Sequence, residues 1–183
     1  EPNAIPGRHD IIFPMLEFEF PGDINDLKAM EYELVDYLGF DKPTEKTYAD
    51  WQEYYGFASG YELTAEEEGK MYNEFSTAMI TDFPEFTSPF WNMSRYEDGV
   101  RSKKIDVILG GMETIGSAER STDVDMMRDT FHSITNGEYS KLLFDLFGKD
   151  RVEAELEEFL KFDFFPRVGG GIGMTRMIAA LDK

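Results

Sequence analysis

The 183-residue sequence contains no cysteine and only two histidines, His9 and His132. The first absence excludes disulfide scaffolds, thiolate zinc sites, iron–sulfur clusters and a cysteine nucleophile together. The second leaves too few imidazoles for a histidine metal centre, so a resident metal must be a hard cation held by carboxylates, with Mg2+ the natural candidate. Positive charge is also scarce. Against 37 Asp and Glu stand 18 Lys and Arg, a formal net charge of −19, which opposes a broad phosphate-tracking surface for DNA or tRNA. No run approaches the roughly 18 apolar residues of a membrane helix, and the chain opens on Glu1-Pro2-Asn3 rather than on a basic and then apolar leader. These features read as a cytoplasmic protein without a membrane partner. What is abundant is aromatic: 16 Phe in a chain 42% hydrophobic predict one domain over residues 1–183, folded around a Phe-rich core.

The pattern of apolar residues gives the elements. Leu16, Phe18 and Phe20 alternate with Met15, Glu17 and Glu19, predicting a half-buried strand over 11–20 with two carboxylates on one face. Leu27, Met30, Leu34 and Leu38, followed by Gly39, predict a helix with a C-terminal stop. Residues 41–62 lack periodicity and read as loop or short irregular elements. Thr64 and Glu67 have capping-box spacing ahead of a helix over 65–80. Then follow an extended segment over 84–93, a strand over 105–109, a Gly110-Gly111 pair and a further segment over 112–117. A helix capped by Thr122 and Asp125 runs toward Asn136-Gly137, another spans 151–161, and a last apolar helix contains Met177, Ile178 and Leu181. Antiparallel-looking strands with helices inserted irregularly favour an α+β fold over an alternating parallel one.

Three groups of residues have chemical potential. Gly169-Gly170-Gly171-Ile172-Gly173 precedes Met174-Thr175-Arg176 and a helix. It lacks the Gly-Lys-Ser/Thr of a phosphate loop and the continuation of a dinucleotide site. It fits either backbone brought close to a planar ligand, with Arg176 offered to phosphate, or a tight strand-to-helix turn with a surface arginine. Asp106, Glu113 and Arg120 are evenly spaced, which suits carboxylates holding Mg2+ against a triphosphate beside an arginine for a substrate carboxylate, and suits a surface salt-bridge network equally. Arg8-His9 near Phe13 suggests phosphate contact beside an aromatic platform, with Glu17 further along the strand. His132, beside Phe131, reads as structural or exposed.

The stretches from Glu1 to Phe20, KIDVILGGMETIGSAER from Lys104 to Arg120, and FPRVGGGIGMTR from Phe165 to Arg176 together resemble the catalytic domain of class II aminoacyl-tRNA synthetases. The subgroup is the aspartyl/asparaginyl one, and within it the likeness is nearest to the archaeal asparagine synthetases related to asparaginyl-tRNA synthetase. The resemblance implies an antiparallel sheet flanked by helices. It also implies that the family's dimer-forming first motif would precede Glu1, so the chain is expected to be the C-terminal part of such a core, working as a homodimer.

By the same resemblance Glu1 reads adenine, Arg8, His9 and Asp10 meet ATP, and Phe13 stacks under the base. Gly173, Met174 and Thr175 complete the ATP site, and Arg176 covers the base and meets the terminal phosphate, making Arg8 and Arg176 the implied catalytic pair. Asp106 and Glu113 correspond to the Mg2+ carboxylates, Glu113 also touching ATP. Glu17, Gly116 and Arg120 correspond to the amino-acid site, with Arg120 binding a carboxylate of L-aspartate and Glu17 resembling the asparaginyl branch. Thr175 stands where the charging enzymes usually keep an acid, and Ile12 where they commonly have Glu. The implied activity is ATP-dependent ligation of aspartate and ammonia to asparagine through a β-aspartyl adenylate, releasing AMP and pyrophosphate. The alternatives are an asparaginyl- or aspartyl-tRNA synthetase core, and a non-catalytic synthetase-like protein that binds a nucleotide or amino acid.

Overall fold

A computed structural model describes residues 12–183. The expected α+β class holds, with six strands in one sheet. They are β1 (Met15–Pro21), β2 (Thr44–Thr47), β3 (Thr77–Pro84), β4 (Arg101–Leu109), β5 (Met112–Arg120) and β6 (Arg167–Gly173). Their order is β1-β6-β5-β4-β3-β2, with every neighbouring pair antiparallel except β2 and β3. The helices are α1 (Ile24–Tyr37), α2 (Tyr48–Tyr55), α3 (Ala65–Phe75), α4 (Val124–Ser133), α5 (Glu138–Phe147), α6 (Lys149–Phe159) and α7 (Met174–Leu181).

Side-chain alternation divides the sheet into two faces. Ile105, Val107, Ile115, Val168 and Ile172 pack with Leu27 and Val35 of α1 and with Met177 and Ala180 of α7 in the main core. On the other face, at its β2–β3 end, Ile80 and Ile108 meet Tyr48 and Trp51 of α2 and Met71 of α3. A third cluster joins Trp91 to Met127 and Phe131 of α4 and to Val152 and Leu156 of α6. Among the described residues the second face carries a cleft over β5, β6 and β1, where the candidate site lies.

Tertiary pairing changes several expectations. Residues 41–62 contain β2 and α2. Four residues of β2 show no alternation of their own and exist by pairing with β3, while α2 is capped by Thr47 and anchored by fully buried Trp51, whose Nε1 donates to the Met79 carbonyl at 3.1 Å. The Thr64–Glu67 capping box forms as expected, but α3 ends at Phe75 because Ser76 adopts a positive φ of 61°. Met79 and Ile80 then belong to β3, which suits the β-branched Thr77, Ile80 and Thr81.

Residues 84–93, expected extended, begin with a short 3-10 turn at Glu85–Thr87. Helix α4 is capped by Asp123 rather than by Thr122, and it stops at Ser133 because Thr135 and Asn136 take positive φ. Helix α5 answers to no expected element, although Tyr139, Leu142, Leu143, Leu146 and Phe147 recur at helical spacing. The glycine run is not a turn: it is most of β6, inside the sheet between β1 and β5.

Candidate functional site

The registers place Glu17, Gly171, Gly116 and Asp106 in one row across β1, β6, β5 and β4. The next row on the same face carries Glu19, Gly169, Ala118 and Lys104, and the following one Pro21, Arg167 and Arg120. Between the first two rows, Phe18, Gly170, Ser117 and Ile105 turn toward the core side. The centre of the open face is therefore a glycine floor walled by carboxylates on one side and arginines on the other. A cleft of about 410 Å³ stands over it, lined among others by Glu17, Glu19, Met93, Gly116, Arg120 and Gly171. The three residues expected at the amino-acid site, Glu17, Gly116 and Arg120, are brought together in this one cleft.

The two middle glycines do different work. A Cβ on Gly170 would stand 2.5 Å from Ser117 Cβ and 2.8 Å from the Gly116 carbonyl oxygen, whereas at Gly171 it would meet, among the described residues, only the flexible end of Met15. We expect Gly170→Ala to lower stability by about 1–3 kcal/mol through overpacking. Gly171→Ala should fold with a melting temperature near that of the wild type yet carry a methyl group on the cleft floor. Thermal denaturation of the two variants checks the contrast, and equal destabilisation would contradict it.

At the β4 end, Asp106 and Glu113 converge. From the point where a Gly116 Cβ would stand, Glu113 Oε1 lies at 2.8 Å and Asp106 Oδ1 at 3.6 Å. A register shift after Val107 places Glu113 here, opposite Ile108. Asp106 Oδ2 accepts from Lys104 Nζ, whose ammonium also lies 3.7 Å from the centroid of the Phe83 ring. Asp106 Oδ1 is buried and has no hydrogen-bond partner among the described residues. Burial raises the Asp106 carboxyl well above the ordinary carboxylate range, the Glu113 and Glu68 charges add to that rise, and Lys104 opposes it.

An orphaned buried oxygen beside a second carboxylate fits a hard cation. Among the described residues no group of three or more His, Cys, Asp or Glu is arranged to hold a metal; Mg2+ at this corner would draw its remaining ligands from phosphate oxygens and water. Asp106 and Glu113 would hold such an ion, which would neutralise phosphate charge.

Arg176, in the first turn of α7, donates through Nη1 to the Glu113 carbonyl oxygen at 2.7 Å, and its Cδ lies 3.8 Å from the Cβ position of Gly173. It is thus a half-exposed guanidinium held beside the carboxylate corner. The Met174 amide donates to the Pro14 carbonyl at 3.0 Å, joining the start of α7 to the residue after half-exposed Phe13. The Met174 side chain packs on the main core, and Thr175 is exposed. Glu1, Arg8, His9 and Asp10 lie outside the described residues.

Arg120 stands at the opposite end, and burial lowers its pKa, with Arg167 acting in the same direction and Glu19 against it. Sequence reasoning missed Lys104, Arg167 and Glu68. Lys104 was accessible, being two positions from Asp106 on a strand and hence on its face. Glu68, whose Oε2 accepts from the Glu113 amide at 2.9 Å, is one of three consecutive glutamates in α3, and nothing in the sequence distinguishes it. His132 lies on α4 near Glu153, away from this face, as its structural reading expected.

A family model described as tRNA synthetases class II (D, K and N) matches residues 11–183. A comparison with curated proteins returns no match. Among solved structures, the chain is similar to Entamoeba histolytica asparaginyl-tRNA synthetase in complex with asparaginyl-adenylate, at 20% identity and a TM-score of 0.76, covering 98% of this chain and 46% of that one. The Pyrococcus horikoshii asparaginyl-tRNA synthetase complexed with asparaginyl-adenylate gives 20% identity and a TM-score of 0.74, over 95% of this chain and 45% of that one. Aspartyl-tRNA synthetase from Entamoeba histolytica gives 17% and 0.75, over 100% and 43%. The chain therefore spans less than half the length of these solved relatives, and at such identities the likeness shows the fold. With the family model covering nearly its whole length, the chain belongs to the class II tRNA synthetases of the D, K and N type.

Proposed function

We propose that this chain is the adenylate-forming core of an asparaginyl- or aspartyl-type class II synthetase, activating the amino acid with ATP and Mg2+ and releasing pyrophosphate. The observation that carries the reading is the single cleft uniting Glu17, Gly116 and Arg120 next to the Asp106–Glu113 corner and Arg176. A carboxylate attacks the α-phosphate, so catalysis needs alignment and charge neutralisation, with no protein nucleophile. Arg120 would hold the oxygen-bearing end of the amino acid that is not activated, and Glu17 would accept hydrogen bonds from its nitrogen. The glycine floor admits the substrate against main chain, and Arg176 would stabilise negative charge developing on the phosphates.

The acceptor separates two versions of this chemistry. Similarity to asparaginyl- and aspartyl-tRNA synthetases, two of them carrying asparaginyl-adenylate, supports transfer to tRNA. The asparagine-forming reading, in which ammonia attacks a β-aspartyl adenylate, is favoured by one observation, the net charge of −19, which repels a polyanion.

Incubating the protein with ATP, Mg2+ and L-aspartate or L-asparagine, with total tRNA in one arm and ammonium in another, distinguishes them by mass spectrometry. Charged tRNA with AMP is expected. Asparagine equimolar with AMP in the tRNA-free arm would move the assignment to the ligase, and absence of AMP from every arm would overturn both.

A further inference from the structure

Arg120 and Arg167 are direct partners across β5 and β6, so two guanidinium groups stand side by side at one end of the cleft. Glu19 of β1 reaches both, but unequally. Arg167 Nε donates to Glu19 Oε1 at 2.6 Å, whereas Arg120 Nε lies 3.9 Å from Glu19 Oε2. Glu19 Oε2 and Arg120 Nη2 both hang over Gly169, at 3.2 and 3.3 Å from the position its Cβ would take. No side chain at 169 keeps the two apart.

Arg167 is itself firmly held. It is 9% exposed, and its guanidinium lies 5.0 Å from the centroid of the Phe164 ring. Glu19, by contrast, is half-exposed and able to swing.

We propose that Arg167 is a positioning residue that holds the Glu19 carboxylate off Arg120 and so keeps Arg120 open to the oxygen-bearing end of the amino-acid substrate. The inference rests on the amino-acid reading of the cleft given above. A carboxylate tethered within reach of Arg120 competes with substrate at an effective concentration in the millimolar range, so releasing Glu19 from Arg167 acts as a built-in competitive inhibitor. One carboxylate between two guanidiniums also leaves the pair with a net positive charge, which attracts an anionic or dipolar group to this end of the cleft.

The test measures amino-acid KM and kcat by ATP–pyrophosphate exchange in the wild type, Arg167→Gln, Glu19→Gln and the double variant. Arg167→Gln is expected to raise the amino-acid KM about tenfold with kcat within about twofold, a change of about 1.4 kcal/mol in affinity. The double variant should return KM close to the wild-type value, because no carboxylate remains to occupy Arg120. An unchanged KM in Arg167→Gln, or a double variant as impaired as the single one, overturns the proposal. If Arg167→Gln fails to fold by circular dichroism, Arg167→Met, which keeps an aliphatic stem beside Phe164, takes its place: a KM raised about tenfold that Glu19→Gln restores supports the proposal, and an unchanged KM overturns it. Exchange by the wild type with insensitive variants removes this inference alone. No exchange by the wild type removes the amino-acid reading together with it.

Discussion

Arg176→Ala is expected to slow amino-acid-dependent ATP–pyrophosphate exchange by about 10²–10³-fold, the loss that follows removal of one preorganised charge-stabilising donor. The side chain is fixed at both ends of its span, by the backbone of the first turn of α7 and by the bond from Nη1 to the Glu113 carbonyl oxygen. Because that partner is a neutral carbonyl, the guanidinium keeps its charge for phosphate. Lysine cannot both reach the carbonyl and present a planar fork, so Arg176→Lys should recover only a small part of the loss. Thermal denaturation should change little in either variant, since the residue is half-exposed and outside the hydrophobic clusters. A rate within about threefold of the wild type in Arg176→Ala would reduce the arginine to a brace between α7 and β5.

Glu31→Gln is expected to stabilise the protein at pH 8 and to lose that advantage by pH 5. Glu31 lies on α1 behind the sheet, fully buried, with Oε1 accepting from Ser117 Oγ at 2.5 Å and Oε2 buried without a partner among the described residues. Burial pushes its carboxyl up to about 8, the charge of Asp106 adds to the rise, and the Ser117 hydrogen bond opposes it. In the unfolded chain the same group ionises near its ordinary value of 4.5.

Between those two values the folded state binds more protons than the unfolded one, so stability falls as pH rises from about 4.5 to 8 and then levels off. Glutamine removes this dependence and keeps an oxygen for Ser117, although its amide inherits the unpartnered position at a cost of about 1–3 kcal/mol. Every tenfold difference in proton affinity between the folded and unfolded chain corresponds to about 1.4 kcal/mol. The variant should therefore gain a few kcal/mol at pH 8, several degrees in Tm, and be neutral or slightly less stable at pH 5. Melting curves across that range check the prediction, and a Tm difference independent of pH would contradict it.

The two large effects arise on opposite sides of the same strand. Arg176 braces β5 at Glu113 on the open face, and Glu31 braces it at Ser117 from behind. The glycine floor is therefore set between a part-buried and a fully buried polar contact, and a buried carboxyl lowers stability in exchange for local order.

Local patterns were sufficient for what depends on local physics. Alternation located β1 with Glu17 and Glu19 on one face, and capping chemistry located the start of α3. Elements that owe their existence to distant partners were not legible: β2 through its pairing with β3, and the exact end of α3 at the positive φ of Ser76. For the site, Asp106, Glu113 and Arg120 were legible as spaced charges, but not the register shift after Val107 that brings Glu113 to Asp106. The glycine run was visible without its meaning, because a glycine-rich strand and a glycine-rich turn have the same composition. Only its place in the sheet shows that Gly170 accommodates Ser117 while Gly171 keeps the floor bare. Arg167 and Glu19 are far apart in sequence and meet only because β1 and β6 pair.

ATP–pyrophosphate exchange by the wild-type chain, with Mg2+ and either L-aspartate or L-asparagine, tests adenylate formation most directly. Exchange that requires both the metal and one of these amino acids is the predicted result. No exchange with either amino acid, or exchange indifferent to the amino acid supplied, would contradict it.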